Sequence, residues 1–73
     1  MAKIDIESEV TGTVWKVEMA VGAEVAAGDT IMILESMKME IPVEAPEAGK
    51  ISAITVAPEE SVEEGQVLCV IES

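Results

Sequence analysis

The sequence of 73 residues contains no Arg, His, Tyr or Phe, and only one Trp and one Cys. Without His, the usual general base at neutral pH and the commonest metal ligand are missing. A single Cys permits neither an internal disulfide nor a cysteine zinc site. Without Arg, no bidentate clamp for a phosphate or carboxylate can form. We therefore expect no catalytic residues and no metal site, and a carrier or binding module is favoured over an enzyme.

Positive charge is also scarce, because 4 Lys face 15 Asp and Glu and the formal net charge is −11. Nucleic acids and anionic membrane surfaces repel such a chain and are not expected as partners. No apolar run, 31–34 included, approaches the ~20 residues of a membrane helix, and no signal segment is recognisable at the start. We expect one monomeric domain over 1–73, in the cytoplasm or another reducing intracellular compartment.

The residues that are abundant favour strands, with 10 Val and 8 Ile against 2 Leu. Such β-branched side chains suit a pleated surface, and no apolar stripe with a 3.6-residue period indicates a helix. Short alternating stretches separated by Gly and Pro predict an all-β domain. The lone Cys69 lies in an apolar run and is expected to be buried. We predict strands at 3–7, 12–19, 24–26, 30–36, 40–44, 49–56, 61–63 and 67–72.

The two halves of the chain match each other when the sequence is shifted by 37 positions, which places Gly12 on Gly49 and Gly28 on Gly65. One half could not bury its apolar face alone, whereas two halves packed about a pseudo-two-fold axis form a flattened barrel or sandwich with few free edges. This symmetry predicts that the join between the halves, at Met37 and Lys38, lies at one end of the molecule. Both termini are predicted to meet at the other end.

The alternation of apolar and polar residues along a strand breaks at the same place in each half of the chain. Val14 and Val17 are both apolar, although their odd spacing points them to opposite faces of a regular strand. A β-bulge at 15–16, and another at 52–53, would reconcile the pattern. Trp15 aligns with Ser52, so the repeat does not require an aromatic residue there. We expect Trp15 to cover the sandwich, and an exposed contact site is the alternative.

The join between the halves contains the candidate functional residue, Lys38. A two-residue loop at Met37 and Lys38 would form a hairpin, although such loops favour Gly or Asn because their residues need positive φ. The same hairpin would set Glu35 opposite Glu40, which is mildly destabilising. Local rules broken together indicate a functional site at Lys38, and the alternative is an ordinary solvated lysine. The predicted recognition motif, which a partner protein would contact around Lys38, consists of Glu35, Ser36, Met37, Met39 and Glu40.

These residues resemble the attachment motif of the biotinyl domains of biotin-dependent carboxylases. Met-Lys-Met stands at the midpoint of the repeat, and the similarity covers 4–72. The further matches are Gly12-x-Val14, Val25-x-x-Gly28-Asp29 and Ala45-Pro46-x-x-Gly49. The resemblance implies a flattened sandwich of two four-stranded antiparallel sheets without a protruding thumb. It also implies biotin joined to Lys38 by an amide. Ser36 stands where Ala is common in this family. Ala23 follows Gly22 where the family frequently has Asp, so the turn at 22–23 is expected to lose a side-chain cap.

The resemblance further implies a non-catalytic biotin carboxyl carrier of an acetyl-CoA carboxylase or a related acyl-CoA or pyruvate carboxylase. A biotin protein ligase would modify Lys38, and the arm would then carry a carboxyl group from biotin carboxylase to carboxyltransferase. A lipoyl-type carrier is an alternative that the two methionines disfavour, since lipoyl domains typically have Asp before and Ala or Ser after the lysine. An unmodified interaction module of the same fold is the other alternative. The remaining lysines, Lys3, Lys16 and Lys50, are expected to be solvated charges.

Overall fold

The structure, a computed structural model, describes residues 2–73. Its strands are β1 (Lys3–Glu7), β2 (Gly12–Val17), β3 (Glu24–Val25), β4 (Thr30–Ser36), β5 (Met39–Glu44), β6 (Gly49–Ile54), β7 (Ser61–Val62) and β8 (Val67–Glu72). All eight predicted strands are present, and β2 and β6 each end two residues earlier than predicted. β2 ends early because the N–H groups of Glu18 and Met19 both bond to the carbonyl oxygen of Ile31, which breaks the regular ladder. Over the described range, no helix could span a membrane.

The eight strands form two antiparallel sheets, in the orders β1-β8-β6-β3 and β5-β4-β2-β7. Each sheet takes two strands from the first half of the chain and two from the second. A shift of 37 positions converts the order of one sheet into the order of the other. The predicted sandwich of two four-stranded sheets with pseudo-two-fold symmetry is therefore confirmed. The two halves interleave instead of packing as separate units.

The chain ends lie where the symmetry places the counterpart of the central hairpin. Ser36 pairs with Met39 across that hairpin. The equivalent residues of the other sheet are Ser73 and Ala2, and the N–H of Ser73 donates to the carbonyl oxygen of Ala2 over 2.9 Å. The termini therefore meet as predicted, although Met1 itself falls outside the described residues.

Both predicted β-bulges are present. The register shifts between Val14 and Lys16 in β2 and between Ile51 and Ala53 in β6. The bulge leaves Trp15 outside the regular pairing, with 49% of its surface exposed, while Val14 fills the inward position and is fully buried. The expectation that Trp15 covers the sandwich is therefore wrong, and the alternative of an exposed residue holds.

The core lies between the two sheets and consists almost entirely of aliphatic side chains. Its most deeply buried members are Val14, Ile31, Met32, Leu34, Ile51, Val62, Leu68, Cys69 and Ile71. Most of these residues occur as pairs related by the repeat, such as Leu34 and Ile71. Cys69 is buried as predicted, and desolvation raises the pKa of its thiol to about 11. The thiol is therefore protonated at neutral pH and is not a nucleophile.

Four tight turns, at 20–23, 26–29, 57–60 and 63–66, connect the strands. In each turn the N–H of the fourth residue donates to the carbonyl oxygen of the first, and the third residue has positive φ, as a type II turn requires. In three turns the side chain of the fourth residue, Asp29, Glu60 or Gln66, also accepts the N–H of the first. The turn at 20–23 ends in Ala23 and has no such bond, so the expected loss of a cap is confirmed.

The Asp29 cap gives a prediction about stability. Asp29→Ala removes the 2.8 Å bond from the N–H of Ala26 and should lower the free energy of unfolding by about 1 kcal/mol. Asp29→Asn should retain most of that stability, because the amide oxygen can accept the same bond. Urea titration followed by Trp15 fluorescence measures both variants. Equal stability of wild type and Asp29→Ala would show that the cap contributes nothing.

Candidate functional site

The central hairpin has the predicted two-residue loop. Ser36 pairs with Met39 and Glu35 with Glu40, while Met37 and Lys38 form the turn with φ of 53° and 65°. Two positive φ values are typical of a type I′ turn, whose twist matches that of the flanking strands. A non-glycine residue in this conformation costs about 1–2 kcal/mol. The strands on either side therefore hold Lys38 in a position that its local sequence does not favour.

The side chains around Lys38 project into solvent. Met37 is 92% exposed and Met39 63% exposed, so neither packs onto the core. Lys38 is also exposed. Within 2–73, the one ion pair joins Lys16 to Glu18 over 3.3 Å. The amine of Lys38 is therefore available to an incoming protein or reagent.

The base of the hairpin is fixed against β2 by a close backbone approach and one side-chain bond. A Cβ atom at Gly12 would overlap the carbonyl oxygen of Glu35, so only glycine lets the two strands meet at this distance. Immediately before the loop, the hydroxyl of Ser36 donates to the carbonyl oxygen of Thr11 over 2.9 Å. Sequence reasoning assigned Gly12 and Ser36 no such anchoring role. The recurrence of Gly12 as Gly49 was the available signal, because Gly49 also lies too close to β8 for a Cβ atom.

The two ends of the sandwich differ in charge although the backbone is symmetric. At the hairpin end, Glu35 faces Glu40 across the strand pair, as predicted. At the opposite end, the equivalent Glu72 has Lys3 opposite it on one side and Lys50 on the other. Like charges facing each other in a sheet are unfavourable. The hairpin end retains this arrangement, so the exposed methionines and Lys38 lie beside uncompensated negative charge.

The structure brings all the sequence-predicted site residues together in one hairpin. They are Glu35, Ser36, Met37, Lys38, Met39 and Glu40. The other lysines lie on strands: Lys3 on β1, Lys16 on β2 and Lys50 on β6. Lys38 is thus distinguished from them by its place at a hairpin tip. Across residues 2–73, no three potential metal ligands converge.

Comparison with known proteins identifies the family. The model of the family described as "Biotin-requiring enzyme", which covers biotin and lipoyl attachment domains, matches residues 2–71. The chain belongs to this family. The resemblance drawn from the residues around Lys38 is therefore confirmed. Across such a family the fold is shared, whereas the attached group and the partner proteins differ.

Two small relatives match this biotin/lipoyl domain along most of their own length. The "Biotinylated protein TB7.3 homolog" of Mycobacterium leprae is 37% identical over 67 residues, which are 92% of this chain and 94% of the relative. The "Biotin/lipoyl attachment protein" of Bacillus subtilis is 36% identical over 63 residues, which are 86% of each chain. Among solved structures, the urea carboxylase of Kluyveromyces lactis superposes with a TM-score of 0.93 and 39% identity, over 99% of this chain and 6% of its own.

Proposed function

We propose that this domain is a biotin carboxyl carrier in which Lys38 bears biotin through an amide. The observation that carries the proposal is the position of Lys38 at the tip of a two-residue hairpin, with positive φ and solvent-exposed neighbours. This geometry fits a long covalent arm, because no side chain crowds the amine. The names of the relatives support the assignment, since one is called a biotinylated protein and the superposed structure is a urea carboxylase.

The chain does not activate Lys38 by itself. The sequence has no His to act as a general base beside the amine. A biotin protein ligase therefore has to supply an activated acyl group, as an acyl-adenylate, and accept the proton. Nζ of Lys38 attacks the acyl carbon, the new N–C bond forms, the C–O bond to AMP breaks and AMP leaves. The domain contributes a fixed hairpin that presents the amine.

Attached biotin supplies one chemical function, the transient carriage of a carboxyl group. We propose that the domain serves a biotin carboxylase and a carboxyltransferase in turn, as a monomer in a reducing compartment such as the cytoplasm. The sandwich anchors the base of the arm, because the Ser36 hydroxyl and the close approach at Gly12 tie the hairpin to its neighbours. The tether raises the effective concentration of the arm at each active site into the mM range.

Met37 and Met39 are proposed to contact the partner proteins, because both are exposed and Met adapts to varied surfaces. Replacing both by Ser should lower kcat/KM for biotinylation by about tenfold, the size of an ordinary interface contact. The free energy of unfolding should stay unchanged, since neither side chain packs on the core. Ligase kinetics and urea titration test the two statements, and an unaltered kcat/KM would remove the methionines from the recognition surface.

A lipoyl carrier is the second candidate, since the Bacillus subtilis relative is named a biotin/lipoyl attachment protein. Co-expression with a biotin ligase, and separately with a lipoate ligase, followed by intact-mass measurement, distinguishes the two. We expect the mass of one biotinyl group after the first experiment. A gain only after the second would replace biotin by lipoate. No gain in either would leave an unmodified interaction module.

A further inference from the structure

Exposed apolar side chains are concentrated on one of the two equivalent sheets. Three of the large exposed hydrophobic residues, Trp15, Met37 and Met39, belong to the sheet that carries the hairpin or to its loop. The position equivalent to Trp15 in the other half of the repeat is Ser52, and the position equivalent to Met39 is Ala2. The backbone symmetry therefore does not require these large side chains. Their concentration at the hairpin sheet indicates a contact surface there.

Trp15 is the feature of this surface that the carrier function leaves unexplained. It is the one aromatic residue of the chain, and 49% of its surface is exposed at the β2 bulge. Its counterpart Ser52 donates its hydroxyl to the carbonyl oxygen of Val70 over 3.3 Å, so a small polar residue satisfies the fold at this position. An indole offers a flat apolar face and one N–H donor, a combination common at binding sites.

Trp15 lies within reach of a group carried by Lys38. The residues on either side of Trp15, Val14 and Lys16, pair with Leu34 and Ile33 of β4. Lys38 lies in the turn after Ser36, so residues 33–34 are about 7–10 Å from the end of β4 at the rise of a strand. Trp15 lies on the neighbouring strand β2, one to two strand spacings or about 5–10 Å to the side, which gives a separation of roughly 9–14 Å. A biotinyl-lysine arm has about eleven bonds between Cα and the ring system, roughly 14 Å when extended. The arm and the separation therefore match.

We infer that Trp15 is a resting site for the biotin ring attached to Lys38 of the same chain. The inference rests on the proposed function. The indole face packs against the apolar part of the bicyclic ring, and the indole N–H donates to the ureido oxygen. The tether supplies an effective concentration in the mM range, so a weak contact is populated. A partner's active site then takes the ring from Trp15, and the ring returns there between visits.

The fluorescence of the single Trp tests the inference directly. The domain is co-expressed with a biotin ligase, intact mass confirms the attached biotin, and acrylamide quenching is compared with that of the unmodified domain. We expect quenching of the biotinylated domain to fall on the order of twofold, because the ring covers the exposed half of the indole. Lys38→Ala mixed with equimolar free biotin is the control and should quench like the unmodified domain.

Each result has a distinct meaning. Equal quenching with biotin confirmed by mass overturns the resting site and leaves the carrier function intact. Absence of biotin by mass overturns both. A fall in quenching that requires added ligase or a higher protein concentration makes Trp15 a protein contact and overturns the inference. Trp15→Ser, which copies Ser52, supplies a second readout. Streptavidin should capture its attached biotin about twofold faster than that of wild type, and equal capture rates would contradict the resting site.

Discussion

Lys38→Ala should abolish incorporation of biotin and leave the fold intact. The substitution removes the only amine at the hairpin tip, while the remaining lysines lie on strands. Lys38 is exposed and belongs to no ion pair within the described residues, so its loss removes no contact that stabilises the sandwich. Co-expression with a biotin ligase followed by a streptavidin blot should give no signal. Far-UV circular dichroism and urea titration should match wild type.

Two further variants show what the ligase requires. Lys38→Arg should also fail, because a guanidinium group keeps its charge and is a poor acyl acceptor. Lys50→Ala is the matched control, since Lys50 is an exposed lysine on β6, and it should be biotinylated like wild type. Streptavidin labelling of Lys38→Ala at the wild-type level would assign the modification to another lysine and refute the proposed site.

Gly12→Ala should produce a large loss of stability. A Cβ at this position would overlap the backbone carbonyl of Glu35, and backbone atoms of paired strands cannot move aside cheaply. We expect the free energy of unfolding to fall by about 2–3 kcal/mol, which lowers Tm by roughly 10–20 °C in a domain of this size. Thermal unfolding followed by Trp15 fluorescence measures the shift.

Two other glycines serve as comparisons for Gly12. Gly49→Ala should cost a similar amount, because its Cβ would come 2.6 Å from Cγ2 of Ile71 and 2.9 Å from the carbonyl oxygen of Glu72. Gly22→Ala meets no atom within 4 Å and suffers only from its φ of +95°, so it should cost about 1 kcal/mol. A Gly12→Ala variant as stable as wild type would show that β2 and β4 can separate without loss.

Most of the fold could be predicted because the chain contains two copies of one pattern. The shift of 37 positions located the strands and both bulges, since each of these features appears twice in the sequence, and it placed the central hairpin at the join between the two copies. The interleaving of the halves could not be predicted, because alternation shows which face of a strand is buried and not which strand lies beside it. Whether the chain stands alone as one domain over 1–73 stays a prediction.

The site was predictable where it depends on residue type and not where it depends on tertiary contact. Lys38 stood out because the hairpin around it breaks local rules, and the structure supplies the positive φ that those rules require. The hydrogen bond from Ser36 to Thr11 joins residues far apart in the sequence, and no local sequence pattern predicts it. Trp15 was misjudged because aromatic residues usually cover a core, whereas the bulge leaves this one outside the regular pairing.

Peptide mapping of the co-expressed domain tests the central claim most directly. The sequence has four lysines, and mass spectrometry of proteolytic fragments shows which of them carries a biotinyl group. The proposed function predicts biotin on Lys38 and none on Lys3, Lys16 or Lys50. A biotinyl group on one of the strand lysines, or a lipoyl group on Lys38 in place of biotin, would contradict it.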